Sequence, residues 1–406
     1  MTTAADASRR PIDAWLDDHG EGLVAARRHL HAHPELSGEE HATTEYLTER
    51  LQLAGITTRP LSCGTGLVCD LEPRGRPEHE DGRRLVLRAD IDALAMSDDK
   101  TVSYRSRVPG VAHACGHDVH TTIMLGAALF YAHHRDQLAG PLRVVFQPAE
   151  ERVPGGALDV LADGVLEGTT AVVGLHCEPK LDVGVIGLRE GPISSAADMF
   201  TVRLGGPGGH TARPELTVDL LRAAACMITE APARLDVLTG GRGEAKMVFG
   251  AINGGIAANA IPTACELRAS VRTPAPATWE RLRELTHQAL MESVEGTGAS
   301  VEIDYVVGVP PVVNDAGFVG VVERAVTAEL GAAALVHAPQ SWGGDDFAWY
   351  TRRLPGAYVR LGTHPPGAGR PLDLHAGRFD VDERAIDVGV RLVAAIVDEY
   401  FAPSPP

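Results

Sequence analysis

The stretch RLVLRADID, residues 84–92, carries the pattern that decides the fold: a short apolar run that ends in carboxylates. Two further apolar runs, 142–147 and 171–175, follow it along the chain. Helical patterns at 121–135 and around 157–162 separate the three runs. Strands that alternate with helices are typical of a largely parallel sheet covered on both faces. The sequence therefore predicts the α/β class, with a central and mostly parallel sheet.

Each of the three runs leads into residues that commonly bind metal ions. Asp90 and Asp92 follow the first run, Glu150 and Glu151 the second, and His176 the third. In open α/β sheets, ligands bind beyond the carboxyl ends of the strands. Three such strand ends predict a metal site at one edge of the sheet. Taken alone, a histidine in this position is more often a satisfied buried side chain than a ligand.

The richest group of ligand-type residues is HACGHDVH, residues 113–120, ahead of an apolar segment, 121–134, that predicts a helix. Neutral imidazole and thiolate are common ligands of zinc-like cations. Only Gly116 separates Cys115 from His117, which allows both side chains to converge from a loop. The alternative is that the histidines cap the helix or face solvent, and that Cys115 is a small buried apolar side chain.

The adjacent carboxylates Glu150 and Glu151 follow a buried strand, where they are costly unless a cation compensates them. With a metal ion nearby, one can bind the ion while the other moves a proton from water to a leaving group. The alternative is a solvated pair of glutamates in a loop. Asp345 and Asp346 lie in an acidic glycine loop, where they can cap a helix or reach a substrate.

The pattern of the sequence changes near Ala196. From there to Val307 the order strand–helix–strand–strand–helix–strand predicts a separate α+β module of the split βαβ, ferredoxin-like kind. Helix and strand alternation resumes after Pro310 and Pro311. We therefore predict a larger domain made of residues 1–195 and 308–406, split by a smaller inserted domain, residues 196–307.

The composition argues against several classes of partner. The chain has 406 residues, of which 44% are hydrophobic, and a formal net charge of -17. Nucleic acid and anionic membranes would call for a basic patch, so neither is expected as a partner. The first 20 residues lack the apolar core of a signal peptide, and no apolar run is long enough to cross a bilayer. The charged stretch 73–84, rich in Pro and Gly, predicts a surface loop. The six cysteines lack framework spacing, so we expect reduced thiols and a cytoplasmic location.

Together, the motifs resemble the amidohydrolase branch of the aminoacylase and carboxypeptidase-type binuclear metallopeptidases. That branch includes hippurate hydrolases, N-acyl-amino-acid amidohydrolases and auxin-conjugate hydrolases. The resemblance is collinear over nearly the whole chain. It rests on RHLHAHPE (28–35), RADIDAL (88–94), HACGHD (113–118), QPAEE (147–151), GLH (174–176), GGH (208–210), NAIP (259–262), DDF (345–347) and LH (374–375).

The resemblance implies a role for each candidate residue of the larger domain. The ligands of a two-metal site would be Cys115, His117, Glu151, His176 and His375. The thiolate of Cys115 would bridge the two ions. Glu150 would act as general base and acid, and Asp92 would orient a histidine ligand.

The resemblance also implies that the inserted domain acts as a lid and as the surface through which a homodimer forms. His210 would stabilise the tetrahedral oxyanion, reaching across from the dimer partner. Asn259 and Arg272 would hold the substrate carboxylate. The chain departs from the family pattern at Ala95-Met96, where Pro is usual. It departs again at Arg213, which would be either an extra anion contact or a surface residue.

The activity implied is that of a metal-dependent hydrolase that cleaves the amide of an N-acyl amino acid or a similar small conjugate. Two divalent ions are expected, zinc or manganese first and cobalt or nickel as further options. One alternative is a dipeptidase or carboxypeptidase-like peptidase on the same scaffold. Another is a metal-binding dimer without turnover, but a structural site has no need of a spare base such as Glu150.

Overall fold

The computed structural model describes residues 10–75 and 82–403, so part of the predicted surface loop 73–84 lies outside the described residues. The chain forms two compact units. The large unit comprises Met1–Gly191, Val313–Pro339 and Trp349–Pro406, and the small unit comprises Pro192–Val312 and Gln340–Ala348. The small unit thus starts just before the predicted boundary at 196 and includes a segment near 340 that no pattern assigned to it.

The described residues form the following elements. The helices are α1 (Pro11–Ala32), α2 (His41–Leu53), α3 (His117–His133), α4 (Ala157–Ala162), α5 (Leu220–Leu238), α6 (Pro276–Ser293), α7 (Ala316–Leu330), α8 (Ala348–Thr351) and α9 (Arg384–Phe401). The strands are β1 (Thr58–Pro60), β2 (Leu67–Leu71), β3 (Leu85–Asp90), β4 (Leu142–Gln147), β5 (Ala171–Asp182), β6 (Ile186–Leu188), β7 (Gly191–Pro192), β8 (Ala196–Gly205), β9 (Gly209–His210), β10 (Lys246–Gly254), β11 (Ala260–Ile261), β12 (Ala264–Thr273), β13 (Ser300–Val309), β14 (Val313–Asn314), β15 (Leu335–His337) and β16 (Gly356–His364). Among these helices none combines the length and the apolar character needed to cross a membrane.

Within its described residues, the large unit contains an eight-stranded sheet in the order β1-β2-β4-β3-β5-β16-β6-β15. The four central strands, β4, β3, β5 and β16, run parallel, whereas β2 and β6 join them antiparallel. Central parallel strands are buried on both faces, which explains why β3 is buried from end to end. The predicted α/β class is confirmed, and the antiparallel pairings lie outside the four central strands.

Helix α3 lies in the core of the large unit, where it packs on β3 and β5 and against α1 and α9. Its residues from His117 to Tyr131 are buried on every side, as expected of a helix that is apolar all round. The contact with α9 depends on Gly389, because a Cβ there would lie 2.3 Å from Cδ1 of Ile123. The backbone of α3 is therefore fixed on all sides.

Two predicted boundaries near the candidate site were wrong. The helix predicted from residue 121 starts at His117, so His117 lies in its first turn and not in a loop. The preceding Gly116, with φ +89°, makes the sharp entry possible. The strand predicted to end at residue 175 continues to Asp182, because pairing with β16 extends past His176. His176 therefore lies within a strand and not at its end.

In its described part, the small unit has a four-stranded antiparallel sheet in the order β10-β12-β8-β13. Buried and exposed residues alternate along β8. The buried side chains form one core with the apolar faces of α5 and α6. When the four strands are numbered by their order in the chain, they lie side by side in the order second, third, first, fourth. One helix follows the first strand and another follows the third. This is the connectivity of a split βαβ module.

Candidate metal centre

The structure brings the five predicted metal ligands together in the large unit. His375 Nε2 lies 3.2 Å from Glu151 Oε1, and His117 Nε2 lies 3.9 Å from the same oxygen. Cys115 Sγ lies 3.5 Å from His176 Nε2. Donor atoms of Cys115, Glu151 and His375 all lie within 4.8 Å of one another. Five side chains that are spread along the chain between positions 115 and 375 therefore form one cluster of ligand-type atoms.

Two of these histidines are oriented by backbone carbonyls. His117 Nδ1 lies 2.9 Å from the carbonyl oxygen of Asp92, and His176 Nδ1 lies 2.7 Å from that of Cys177. A carbonyl oxygen only accepts hydrogen bonds, so each Nδ1 must carry the proton. Nε2 is then the ring atom available to a metal ion, and both Nε2 atoms face the cluster. This is the arrangement that second-sphere acceptors impose on metal-binding histidines.

The chemistry of the cluster fits divalent cations. His117 Nε2 is buried and has no hydrogen-bond partner among the described residues. It lies 3.9 Å from a carboxylate oxygen of Asp90 and of Glu150, too far for a hydrogen bond. Imidazole nitrogen and carboxylate oxygen are ligand types that such cations take in proteins. An orphaned nitrogen surrounded by carboxylates is the pattern expected where a metal ion belongs.

The protonation of these ligands shows an excess of negative charge. Burial lowers the pKa of His117, but the charges of Asp90 and Cys115 outweigh it and raise that pKa well above its usual value. Hydrogen bonds that His375 donates to Cys115 and Glu151 raise its pKa to about 10. Burial raises the pKa of the Cys115 thiol. Bound cations would displace these protons and favour the thiolate.

Asp92 connects two of the candidate ligands. Its Oδ2 accepts hydrogen bonds from Ser37 Oγ at 2.6 Å and from the backbone N–H of Glu151 at 2.9 Å. Its carbonyl oxygen accepts from His117, as described above, and its Oδ1 lies 3.3 Å from the same ring nitrogen. Asp92 is fully buried. Its position suits the orienting role that the resemblance implies.

The turn that carries Glu150 and Glu151 is held by Glu40, a residue that no sequence argument singled out. Ala149, just before the pair, has φ +57°, which is uncommon for a residue with a side chain. Its N–H donates to Glu40 Oε1 at 2.8 Å, and the same oxygen accepts from Gly38 N–H at 2.9 Å. Glu40 is buried at the start of α2. Its only sequence signal, an acidic residue before a helix, is equally typical of a cap.

His120 was also not predicted to act, and the structure explains its place in the motif. Its Nδ1 donates to Asp90 Oδ1 at 2.7 Å, and its Nε2 accepts from the backbone N–H of Cys177 at 2.8 Å. Both ring nitrogens are therefore engaged. Arg88 donates to the other oxygen of Asp90 at 2.5 Å. This buried network joins β3, α3 and β5 beneath the ligand cluster.

The last turns of α1, where the RHLHAHPE segment begins, contact the first turn of α3. His31 Nδ1 lies 2.7 Å from Asp118 Oδ2, and Arg27 Nε donates to the same oxygen at 2.7 Å. Although burial opposes it, these cations hold the pKa of Asp118 well below its usual value. Asp118 follows His117 directly, so this pairing fixes the turn that presents a candidate ligand.

The candidate substrate contacts of the small unit form two groups. His210 pairs with Ala260 in the β9–β11 ladder, and the N–H of Thr211 donates to the carbonyl of Asn259 at 3.3 Å. His210 and Asn259 therefore lie side by side. Arg272 lies near the far end of β12, about 26 Å of strand away from Ala264. Within one chain, the structure does not bring Arg272 to the other two.

The side chains of these residues differ in what they can still bind. His210 is exposed, and its Nδ1 accepts from the N–H of Ala212 at 3.0 Å, which leaves a proton on Nε2 to donate. The half-buried Arg272 donates through Nη1 to the carbonyl of Trp342 at 2.8 Å. Asp345 accepts from the N–H of Phe347 at 2.8 Å, which favours the capping interpretation of the acidic loop.

Comparison with known proteins agrees with this geometry. The sequence profile of Peptidase family M20/M25/M40 matches residues 86–399. An N-acetyl-L-cysteine deacetylase of Bacillus subtilis (strain 168) is 34% identical over 364 residues, which are 90% of this chain and 84% of that protein. A solved Bacillus subtilis structure, described as a dinuclear metal binding peptidase, has 32% identity and a TM-score of 0.81, and the match covers 95% of this chain and 99% of that one.

One relative extends far beyond the matched region. A putative glutamate–cysteine ligase of Rhodococcus jostii (strain RHA1) is 42% identical over 92% of this chain, but the match spans only 46% of that protein. The chain thus covers less than half the length of this relative.

Proposed function

This chain belongs to Peptidase family M20/M25/M40, and from that membership we propose that it is a metal-dependent amidohydrolase. Its substrates would be N-acyl amino acids or similar small conjugates, cleaved at the amide bond. The observation that carries the proposal is the cluster of five ligand-type side chains with an additional carboxylate, Glu150, beside them. The deacetylase among its relatives supports the substrate class, because the name of that protein identifies an N-acyl amino acid as its substrate.

Two divalent cations would be held by Cys115, His117, Glu151, His176 and His375. When bound, they would polarise the substrate carbonyl and lower the pKa of a water molecule. Zinc or manganese is proposed first, and cobalt or nickel are further options, because a mixed set of thiolate, imidazole and carboxylate accepts all four.

The protein itself would supply proton transfer and position. Glu150, whose side chain is only 10% exposed, would take a proton from the attacking water and give it to the departing amine nitrogen. Asp92 would keep the backbone of Glu151 and the ring of His117 in place. Because Glu150 and Glu151 are adjacent in one turn, the base stays next to the ligand whatever the substrate.

In the proposed homodimer, the small unit of one subunit would supply residues for the reaction at the metal centre of the other. The Nε2–H of an exposed His210 suits an oxyanion, and Asn259 lies beside it. The separation of Arg272 from both supports a division of the substrate contacts between two subunits. The small unit would serve as lid and dimer surface, and a cytoplasmic location, expected from the spacing of the cysteines, is part of this proposal.

The test is amine release from a panel of N-acyl amino acids and dipeptides, using chelator-stripped protein reloaded with each of the four metals. The variant is Glu150→Gln, and the matched control is Glu45→Gln, which removes an exposed carboxylate from α2. We expect metal-dependent turnover that Glu150→Gln reduces by about 10²- to 10⁴-fold. Metal binding without turnover on any substrate would contradict the proposal, and faster cleavage of dipeptides would favour a dipeptidase.

A further inference from the structure

A buried arginine lies next to the candidate metal centre. Arg360 is in β16, in register with His176 on the parallel strand β5, so both side chains leave the same face of the sheet. Arg360 is 9% exposed. Its Cζ lies 5.2 Å from the centre of the Tyr358 ring, which meets the His176 ring edge-on at 5.6 Å. His176 in turn contacts Cys115.

The guanidinium of Arg360 has no counterion. Throughout residues 10–75 and 82–403 it makes no hydrogen bond and no ion pair, and it lies over the face of the Tyr358 ring. The other buried arginines are paired: Arg27 contacts three carboxylates, and Arg88 contacts Asp90 and Gln147. A buried charge without a partner is costly. Such a cost is expected at a place where an anion binds.

Arg360 lies on the strand next to the one that carries the candidate ligand His176, directly in register with it. An arginine beside two divalent cations adds further positive charge to the same small volume. An anion between them would be attracted to both.

We propose that Arg360 binds a carboxylate of the substrate; this inference rests on the proposed function. In an N-acyl amino acid only the amide nitrogen and the α-carbon separate the carboxylate from the carbonyl carbon that is attacked. A group beside the metal ligands is therefore within reach of this carboxylate, in addition to any contact from the small unit, and Arg360 is the neighbour of His176. Its planar guanidinium can hold both carboxylate oxygens at once.

The first test compares Arg360→Met with Arg324→Met, a control that removes an exposed arginine from α7. Three probes are used: the N-acetyl amino acid hydrolysed fastest in the panel, its primary amide, and that amide with a succinyl in place of the acetyl group. Arg360→Met should lower kcat/KM about 10- to 100-fold for a carboxylate-bearing probe and less than about twofold for the neutral amide. A loss of kcat/KM on the N-acetyl amino acid places the bound carboxylate on the amine side of the scissile bond. A loss on the N-succinyl amide places it on the acyl side. Equal losses on all three probes would overturn the inference.

The second test measures binding without turnover. In metal-loaded Glu150→Gln protein, calorimetry should give a Kd for the N-acetyl amino acid that rises at least about tenfold when Arg360→Met is added. The Kd of the amide should not change. If the wild type hydrolyses none of the probes, the proposed function fails while calorimetry still decides on Arg360. If Arg360→Met does not fold, Arg360→Lys is used instead, because it keeps the positive charge. This variant should bind the acid with a Kd between those expected for the wild type and for Arg360→Met. A Kd equal to that of the wild type for both the acid and the amide would contradict the proposal.

Discussion

Replacing Glu40 by alanine should disturb the metal centre from a distance. One carboxylate oxygen of Glu40 accepts the N–H groups of Gly38 and Ala149, and the hydrogen bond from Ala149 is buried while that from Gly38 is partly buried. Each hydrogen bond to a charged acceptor contributes about 1.5–3 kcal/mol, so Glu40→Ala removes roughly 3–6 kcal/mol before any relaxation. The Ala149 conformation, at φ +57°, costs about 1–3 kcal/mol and persists only while its surroundings hold it. We therefore expect the turn to relax and to displace Glu150 and Glu151.

The measurement pairs denaturant unfolding of the metal-free protein with calorimetric metal binding. Glu40→Ala should lose about 3 kcal/mol or more of unfolding free energy and bind metal about 10- to 100-fold more weakly. Glu40→Gln keeps an acceptor oxygen, so its losses should be much smaller. Glu39→Ala, at an exposed neighbouring position, is the control. A loss of stability below about 1 kcal/mol, or unchanged metal affinity in a destabilised variant, would refute the reasoning.

Two further predictions concern the ligands themselves. Because the pKa of His375 is raised to about 10 in the folded protein, protonated His375 stabilises the metal-free form. That contribution is complete below its unfolded value of about 6.5 and is lost as pH rises towards 10. Metal must displace this proton, so metal affinity should increase up to about tenfold per pH unit across that window. A slope unaltered by His375→Ala in competition titrations would contradict the assignment. Gly116→Ala should cost about 1–2 kcal/mol in unfolding experiments and weaken metal binding, because Gly116 has φ +89° and a Cβ would lie 2.7 Å from Cys177 Sγ. Wild-type metal affinity in this variant would show that the entry into α3 is not constrained.

The sequence predicted the elements whose pattern is local. The strand 142–147 and the helix 157–162 were predicted with the bounds that the structure has. Apolar runs and helical periodicity are properties of neighbouring residues, so they can be recognised without the fold. The boundaries that failed depend on distant partners. The extension of β5 past His176 needs β16, which lies more than 170 residues further along the chain.

The sequence by itself determined which donor atoms are available: the thiol of Cys115, the imidazoles and the adjacent carboxylates Glu150 and Glu151, each near an element that a pattern could locate. Only the tertiary structure decided which of them meet. The order of the strands brings β4, β3 and β5 side by side, and a loop beyond β16 adds His375. Glu40 and Arg360 gain their significance from burial and from the presence or absence of a partner. Both are three-dimensional properties, because the cost of an unpaired charge depends on what surrounds it and not on its neighbours in sequence.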